Sequence, residues 1–213
     1  MRHIEWYPII MAMDKQALRK AIIKASLEIG SELGEEGLTM RGIAARLGVS
    51  ATALYQHFES KSEILEEVRV HAARTLHKEL RLCAHISDPV DRMIAFTERY
   101  VVFARQNPWM YKVMSEQEPD WEQLSAEQRE DITGPLLLVR RGLQDGLDAS
   151  RWREGFNVDK SSMQMWTAVH GLCNLLNAGR LSEQHPFMPI YDQDQFISDF
   201  VRHLIESFKK ECS

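Results

Sequence analysis

The sequence predicts an all-α fold. Three observations carry that expectation. Apolar residues recur at three- and four-residue spacing along most of the chain, helix-start signatures precede most of these runs, and no convincing strand run is present. At 213 residues the chain is long enough for one or two domains with a hydrophobic core of their own.

The elements follow in order. Leu18, Ile22, Ala25, Ile29 and Leu33 mark one face of a helix from about Asp14 to Leu33, which Gly34 and Gly37 end. Thr39 opens a short helix with Ile43, Ala44 and Leu47 as its buried face. Gly48-Val49-Ser50 breaks it, and a third helix runs from about Ala51 to Phe58. Ser60 and Glu63 form an S-x-x-E capping box for a long helix toward Cys83. Asp88-Pro89 pairs an N-cap with proline at the first helical position, opening a helix through Phe96, Tyr100 and Phe103. Asn107-Pro108 restarts the chain into a short helix, Trp109 to Glu116. Ser125 and Gln128 open a helix carrying Leu136 to Leu147. Asp159 starts one to about Arg180, and Asp192 the last, to about Lys210, after a proline-rich loop from Ser182 to Tyr191. Nine helices are expected.

Composition narrows the class. Hydrophobic residues are 44% and charged residues 27% of the chain, ordinary for a globular protein. The three cysteines, Cys83, Cys173 and Cys212, are far apart and in no C-x-x-C pattern. No disulfide framework or cysteine-type metal site is expected, and a cytoplasmic protein is. No apolar run approaches the ~18 residues of a membrane span, so no membrane role is expected. Met11 and Met13 leave open a start later than Met1. The net charge of −5 argues against a protein that coats nucleic acid. That average hides an asymmetry. Residues 1–61 hold eight basic and seven acidic side chains, residues 62–213 eighteen and twenty-four, and Thr39 to Phe58 holds no carboxylate at all.

Thr39 to Phe58 is the stretch that points to function. Ala44 is small where two helices would cross, Gly48 suits a left-handed C-cap, Val49 and Leu54 are apolar pins, and Ser50 is a good N-cap. Such a pair is a helix-turn-helix, whose second helix enters the major groove. That second helix offers Ala51, Thr52, Tyr55 and Gln56 where an ordinary surface helix would carry Glu and Lys.

At these residues the chain resembles the TetR family of transcriptional regulators. The matching string is Leu38-Thr39-Met40-Arg41, Ile43-Ala44, Leu47-Gly48-Val49-Ser50, Leu54-Tyr55-Gln56-His57-Phe58 and Ser60-Lys61. MWTAVHGLCNLL, with Trp166, His170 and Gly171, resembles the Trp-His-Gly signature of one C-terminal domain class, and YVVFARQNPWMYKVM fits the same class. The resemblance implies an all-α homodimer with a DNA-binding head (14–61) and an effector-binding, dimerising body (62–213). It also implies a palindromic double-stranded operator and a small-molecule effector of unknown identity.

The expected DNA-facing residues are Thr39, Arg41, Ser50, Ala51, Thr52, Tyr55, Gln56, His57 and Lys61. Arg41 is suited to guanine or phosphate, Thr52 to a thymine methyl, Gln56 to adenine, and Lys61 at a helix start to phosphate. Tyr55 matches a family position whose hydroxyl binds phosphate. Ala51 and Thr52 stand where many relatives carry a basic residue and glycine, so the family's operator does not transfer.

In the body, Tyr100, Phe103, Trp109, Met110, Met114, Trp166 and His170 are the expected effector set, drawn from a Met- and aromatic-rich region. Trp166 and His170, four apart, share a helical face. Phe196, Phe200, Leu204 and Phe208 repeat every four residues and suggest dimerisation through the last two helices. No nucleophile elbow, phosphate loop or H-E-x-x-H is present, and no catalytic residue, cofactor or metal is expected. The function expected is that of a ligand-responsive transcriptional regulator, a repressor. The alternative is a helical small-molecule-binding or scaffold protein that does not bind DNA.

Overall fold

The computed structural model describes residues 15–115 and 118–210. The candidate starts, Asp14, Glu116 and Cys212 lie outside them. Among the described residues there are nine helices: α1 Lys15–Gly37, α2 Met40–Leu47, α3 Ala51–Tyr55, α4 Lys61–Arg81, α5 Pro89–Gln106, α6 Pro108–Ser115, α7 Ala126–Asp148, α8 Val158–Asn177 and α9 Gln193–Glu206. The described residues form no strand, only an isolated bridge between Trp152 and Lys209. No described helix is long and apolar enough to cross a membrane.

Local chemistry sets most of the boundaries. Thr39, Ser50, Asp88, Ser125 and Asp192 are N-caps whose side chains accept from the first turn. At Ser125 the capping box is complete, with Gln128 reaching back to the cap N–H. At Ser60 it is displaced: the hydroxyl accepts from Glu63 N–H at 3.2 Å, but the Glu63 carboxylate takes the N–H of Glu59, at 2.7 Å. The cap of α8 is Asn157, accepting from Lys160 N–H, so Asp159 lies inside the first turn rather than ahead of it. Three helices end short of expectation, α3 at Tyr55, α8 at Asn177 and α9 at Glu206.

The chain divides into two compact units. Among the described residues, one takes in those up to Ala72 together with those of 109–120, the other Ala73–Pro108 and those from Trp121 onward. In the first, Leu18, Ile22, Ala25 and Ile29 of α1 pack with Ile43 and Ala44 of α2, Leu54 of α3, Ile64 and Val68 of α4, and Trp109 and Val113 of α6. Leu33, expected on the same face, is 63% exposed. Gly34 leaves helical geometry immediately after it (φ 69°), and Leu33 lies against Gly37 instead of the core. Arg69 is buried here, paired with Glu66 and donating Nε–H to the Val113 carbonyl at 3.2 Å, which joins the end of α6 to α4. In the second unit α5 packs on α7, α8 and α9. The buried face of α9 is Ile197, Val201 and Ile205, followed by Phe208. Of the expected aromatic stripe only Phe208 is buried; Phe196, Phe200 and Leu204 flank that face, half-buried.

Candidate nucleic-acid interface

The turn between α2 and α3 is three residues long and fully accounted for. Gly48 N–H bonds to the Ala45 carbonyl at 3.2 Å and Val49 N–H to Ala44 at 3.0 Å, a Schellman closure of α2. It requires the left-handed conformation of Gly48 (φ 67°, ψ 28°). Val49 then packs on the core, and Ser50 Oγ accepts from Ala53 N–H at 3.1 Å to start α3. Only Leu54 of α3 is buried. Ala51 packs at the core's edge and Ala53 is half-buried, while Thr52 and Tyr55 are turned outward.

Thr39, Arg41, Ser50, Thr52, Tyr55 and Gln56 are all exposed, and Ala51, His57 and Lys61 are half-buried. Thr39 Oγ accepts from Gly42 N–H at 3.0 Å, so the hydroxyls of Thr39 and Ser50 each keep their own O–H to donate, which suits a phosphate oxygen. Tyr55 is 54% exposed despite its aromatic ring. His57 is held below the usual imidazole range by burial and by the nearby charges of Lys15 and Arg19, so at neutral pH it is uncharged.

The two arginines of the motif differ. Arg46 is spent inside the chain: it forks onto Glu32 (2.7 and 3.2 Å) and lies 3.7 Å from Glu28. Arg41 makes no ion pair among the described residues and stands at the start of α2, on the exposed side. Lys61 begins α4, but its ammonium donates to the Glu35 carbonyl at 2.8 Å and lies 3.9 Å from the Glu35 carboxylate.

Among the body residues, the structure brings Tyr100, Trp166 and His170 together. Tyr100 Oη and His170 Nε2 are 2.6 Å apart, and the Trp166 ring meets the imidazole edge-to-face with centroids 4.5 Å apart. Burial pushes His170 down to about 4, so the ring is neutral and its Nε2 can accept from the hydroxyl. Phe103 is core. Trp109, Met110 and Met114 belong to the other unit, where Trp109 lies against Gly30 of α1 so closely that a methyl group there would overlap the indole. Burial pushes the Cys173 thiol up to about 12, so it is no nucleophile. No group of three His, Cys, Asp or Glu placed to hold a metal occurs among the described residues.

Comparison with known proteins agrees with this geometry. Residues 22–68 match the model of the bacterial regulatory proteins of the tetR family, and residues 93–204 match that of the tetracyclin repressor-like C-terminal domain. The chain belongs to the TetR family. It is 28% identical to a nucleoid occlusion factor, SlmA, of Photobacterium profundum over 171 residues, 77% of this chain and 86% of that protein. A class C tetracycline repressor of Escherichia coli is 48% identical, but over 48 residues, 22% of each chain. A solved structure of unknown function from Rhodococcus sp. RHA1 shares the fold with a TM-score of 0.75 at 19% identity, covering 90% of this chain and 95% of that one. The TetR family regulator PfmR of Thermus thermophilus does so with a TM-score of 0.60 at 21% identity, covering 87% and 94%. The family is one of DNA-binding regulators, not enzymes.

One residue that matters to this surface carried no signal in the sequence. Arg19, on α1, reaches across to the end of α3. Its Nη1 donates to the His57 carbonyl at 2.5 Å and lies 3.5 Å from Glu63, its Nη2 meets Glu67 at 3.1 Å, and its guanidinium lies 4.0 Å over the Phe58 ring. In sequence it is one more basic residue beside an apolar stripe. Its partners lie 38 and more residues away.

Proposed function

We propose that this TetR family member is a repressor that binds a palindromic operator as a homodimer and is released by a small-molecule effector. The observation that carries the reading is the outward face of α2 and α3, which offers Arg41, Thr52, Tyr55 and Gln56 and no carboxylate. Arg41 reads guanine or holds a phosphate, Thr52 and Gln56 read base edges, and Tyr55, Thr39 and Ser50 fix the register on phosphates. His57 packs rather than titrates. Lys61, drawn toward Glu35, supplies a weaker contact than its position suggests.

DNA contact is assigned to residues 14–61, effector binding and dimerisation to 62–213. Packing of the head continues further, to Ala72, and takes in 109–120. The effector site is centred on Tyr100, Trp166 and His170, where a phenol, an indole edge and a neutral imidazole offer hydrogen bonds beside apolar surface. The dimer forms through α8 and α9, and an effector releases DNA only by binding one arrangement of that dimer better than the other.

The test is selection of duplexes from a random pool, followed by gel shift across a salt series. A two-fold repeat with half-sites ~34–36 Å apart, bound more weakly as salt rises, supports the reading. Retention of no duplex at low salt overturns it.

The likeness to nucleoid occlusion factors spans most of both chains, whereas that to the tetracycline repressor spans 48 residues. It favours a second reading, a DNA-bound factor whose task is not transcription. Mapping of chromosomal sites separates the two: sites within promoters support repression, sites scattered without regard to promoters support the second reading.

A further inference from the structure

We infer that Arg19 is a positioning residue for DNA recognition: it fixes the C-terminal end of α3, and with it the aim of Tyr55 and Gln56, without touching DNA itself. The inference rests on the DNA-binding reading above and adds a residue to it.

The argument begins with the length of α3. At five residues it is far below the length at which a helix holds itself together in water. Ser50 caps its start. Its end has no comparable local device. Gln56 and the residues after it turn back on the Leu54 carbonyl, which takes the N–H groups of both His57 and Phe58. Three residues beyond Leu54, in the turn that follows α3, the His57 carbonyl accepts from the Arg19 guanidinium. The same group covers the Phe58 ring, itself 1% exposed, and is held from behind by Glu63 and Glu67 of α4. One planar fork thus ties α1, the turn after α3 and α4 to each other.

Only arginine has the chemistry for this. It presents donors in a rigid plane and stacks that plane on an aromatic ring, whereas lysine offers a single point of charge. The position of Arg19 also separates it from a direct phosphate contact. Its side chain is 33% exposed, its Nη1 and Nη2 each meet groups within the chain, and one face of the guanidinium lies over Phe58. Loosening it leaves every proposed DNA contact in place but lets α3 sway on its Ser50 end.

The experiment compares wild type with Arg19→Met and Arg19→Lys on the duplex that the wild type selects from a random pool, each protein corrected for its active fraction. For Arg19→Met the expected loss of affinity for that duplex is about ten-fold or more, the size of a lost base contact. Affinity for a scrambled duplex and the salt slope stay as in the wild type. Hydrogen exchange of free protein should quicken over residues 53–60 and stay unchanged over α5. Arg19→Lys should fall between the two.

Wild-type affinity in the active fraction of Arg19→Met overturns the inference. So does a salt slope reduced by about one charge, which marks a direct phosphate contact. So does exchange quickened equally over the whole head, which marks a loss of stability alone. If Arg19→Met does not fold, Arg19→Lys decides by the same criteria. If the wild type selects no duplex, the DNA-binding reading fails, and exchange over residues 53–60 alone judges whether Arg19 holds the end of α3.

Discussion

Tyr55 and Gln56 are neighbours at the end of α3, yet their loss should read differently. A phosphate contact carries no sequence information, so Tyr55→Phe should weaken binding to every duplex alike. Gln56→Ala should instead relax the preference at one base-pair position, at a cost of about 1–3 kcal/mol on the selected duplex. Profiling both variants on single-substitution duplexes checks this, and a uniform loss from Gln56→Ala would contradict its role. In the body the informative residue is His170. Its pKa is lowered from the ordinary imidazole value of 6.5 to about 4. Below the ordinary value the unfolded chain takes up a proton that the folded ring refuses, so stability is full above that pH and falls as pH drops toward about 4. His170→Gln should flatten that part of the stability profile, seen as denaturant midpoints across the acid range.

At the scale of elements, the turn joining α2 to α3 has one position where substitution strains the backbone. Gly48→Ala keeps the space open but forces a Cβ into the left-handed region, and should cost about 1–2 kcal/mol of stability by thermal or denaturant unfolding. This turn was readable in advance because its causes are local: Thr39, Gly48 and Ser50 act on backbone groups within five residues. The same holds for the starts at Asp88, Ser125 and Asp192. Readings that depended on distant partners fared less well. Trp109 counted toward an effector set because Met and aromatic residues are dense around it, but density carries no direction, and the fold seats it on Gly30 of α1. On α9, two apolar stripes lie side by side, Phe196–Phe200–Leu204 and Ile197–Val201–Ile205, and the buried one is the less aromatic of the two. Nothing in spacing alone says which stripe meets α5. Arg19 lay furthest out of reach, since its meaning is a set of groups on two other segments.

At the scale of the whole molecule, the aromatic stripe of α9 supplies a test of assembly. Ile197, Val201 and Ile205 are consumed by the chain's own core, which leaves Phe196, Phe200 and Leu204 half-exposed; on α8, Met163 and Trp166 are 51% and 46% exposed. Apolar side chains left in water on two neighbouring helices fit a two-fold contact with the same helices of a second copy. A charge on that flank should therefore separate copies without unfolding them. Phe200→Glu is expected to remain helical with a cooperative unfolding transition, yet to run as a monomer in light scattering where the proposed wild-type state is a dimer. Val201→Glu, one residue on, buries an unpaired carboxylate and should not fold. The contrast isolates assembly from stability, because the two positions differ in exposure and not in helix or neighbourhood. DNA binding then follows from the assembly. The acidic body contributes no general attraction to DNA, so a single head must rely on one half-site, and the separated Phe200→Glu heads should lose about a hundred-fold or more in affinity for the selected palindrome. Their affinity for an isolated half-site should match that of the wild type. A dimeric Phe200→Glu protein would place the two-fold contact elsewhere on the chain.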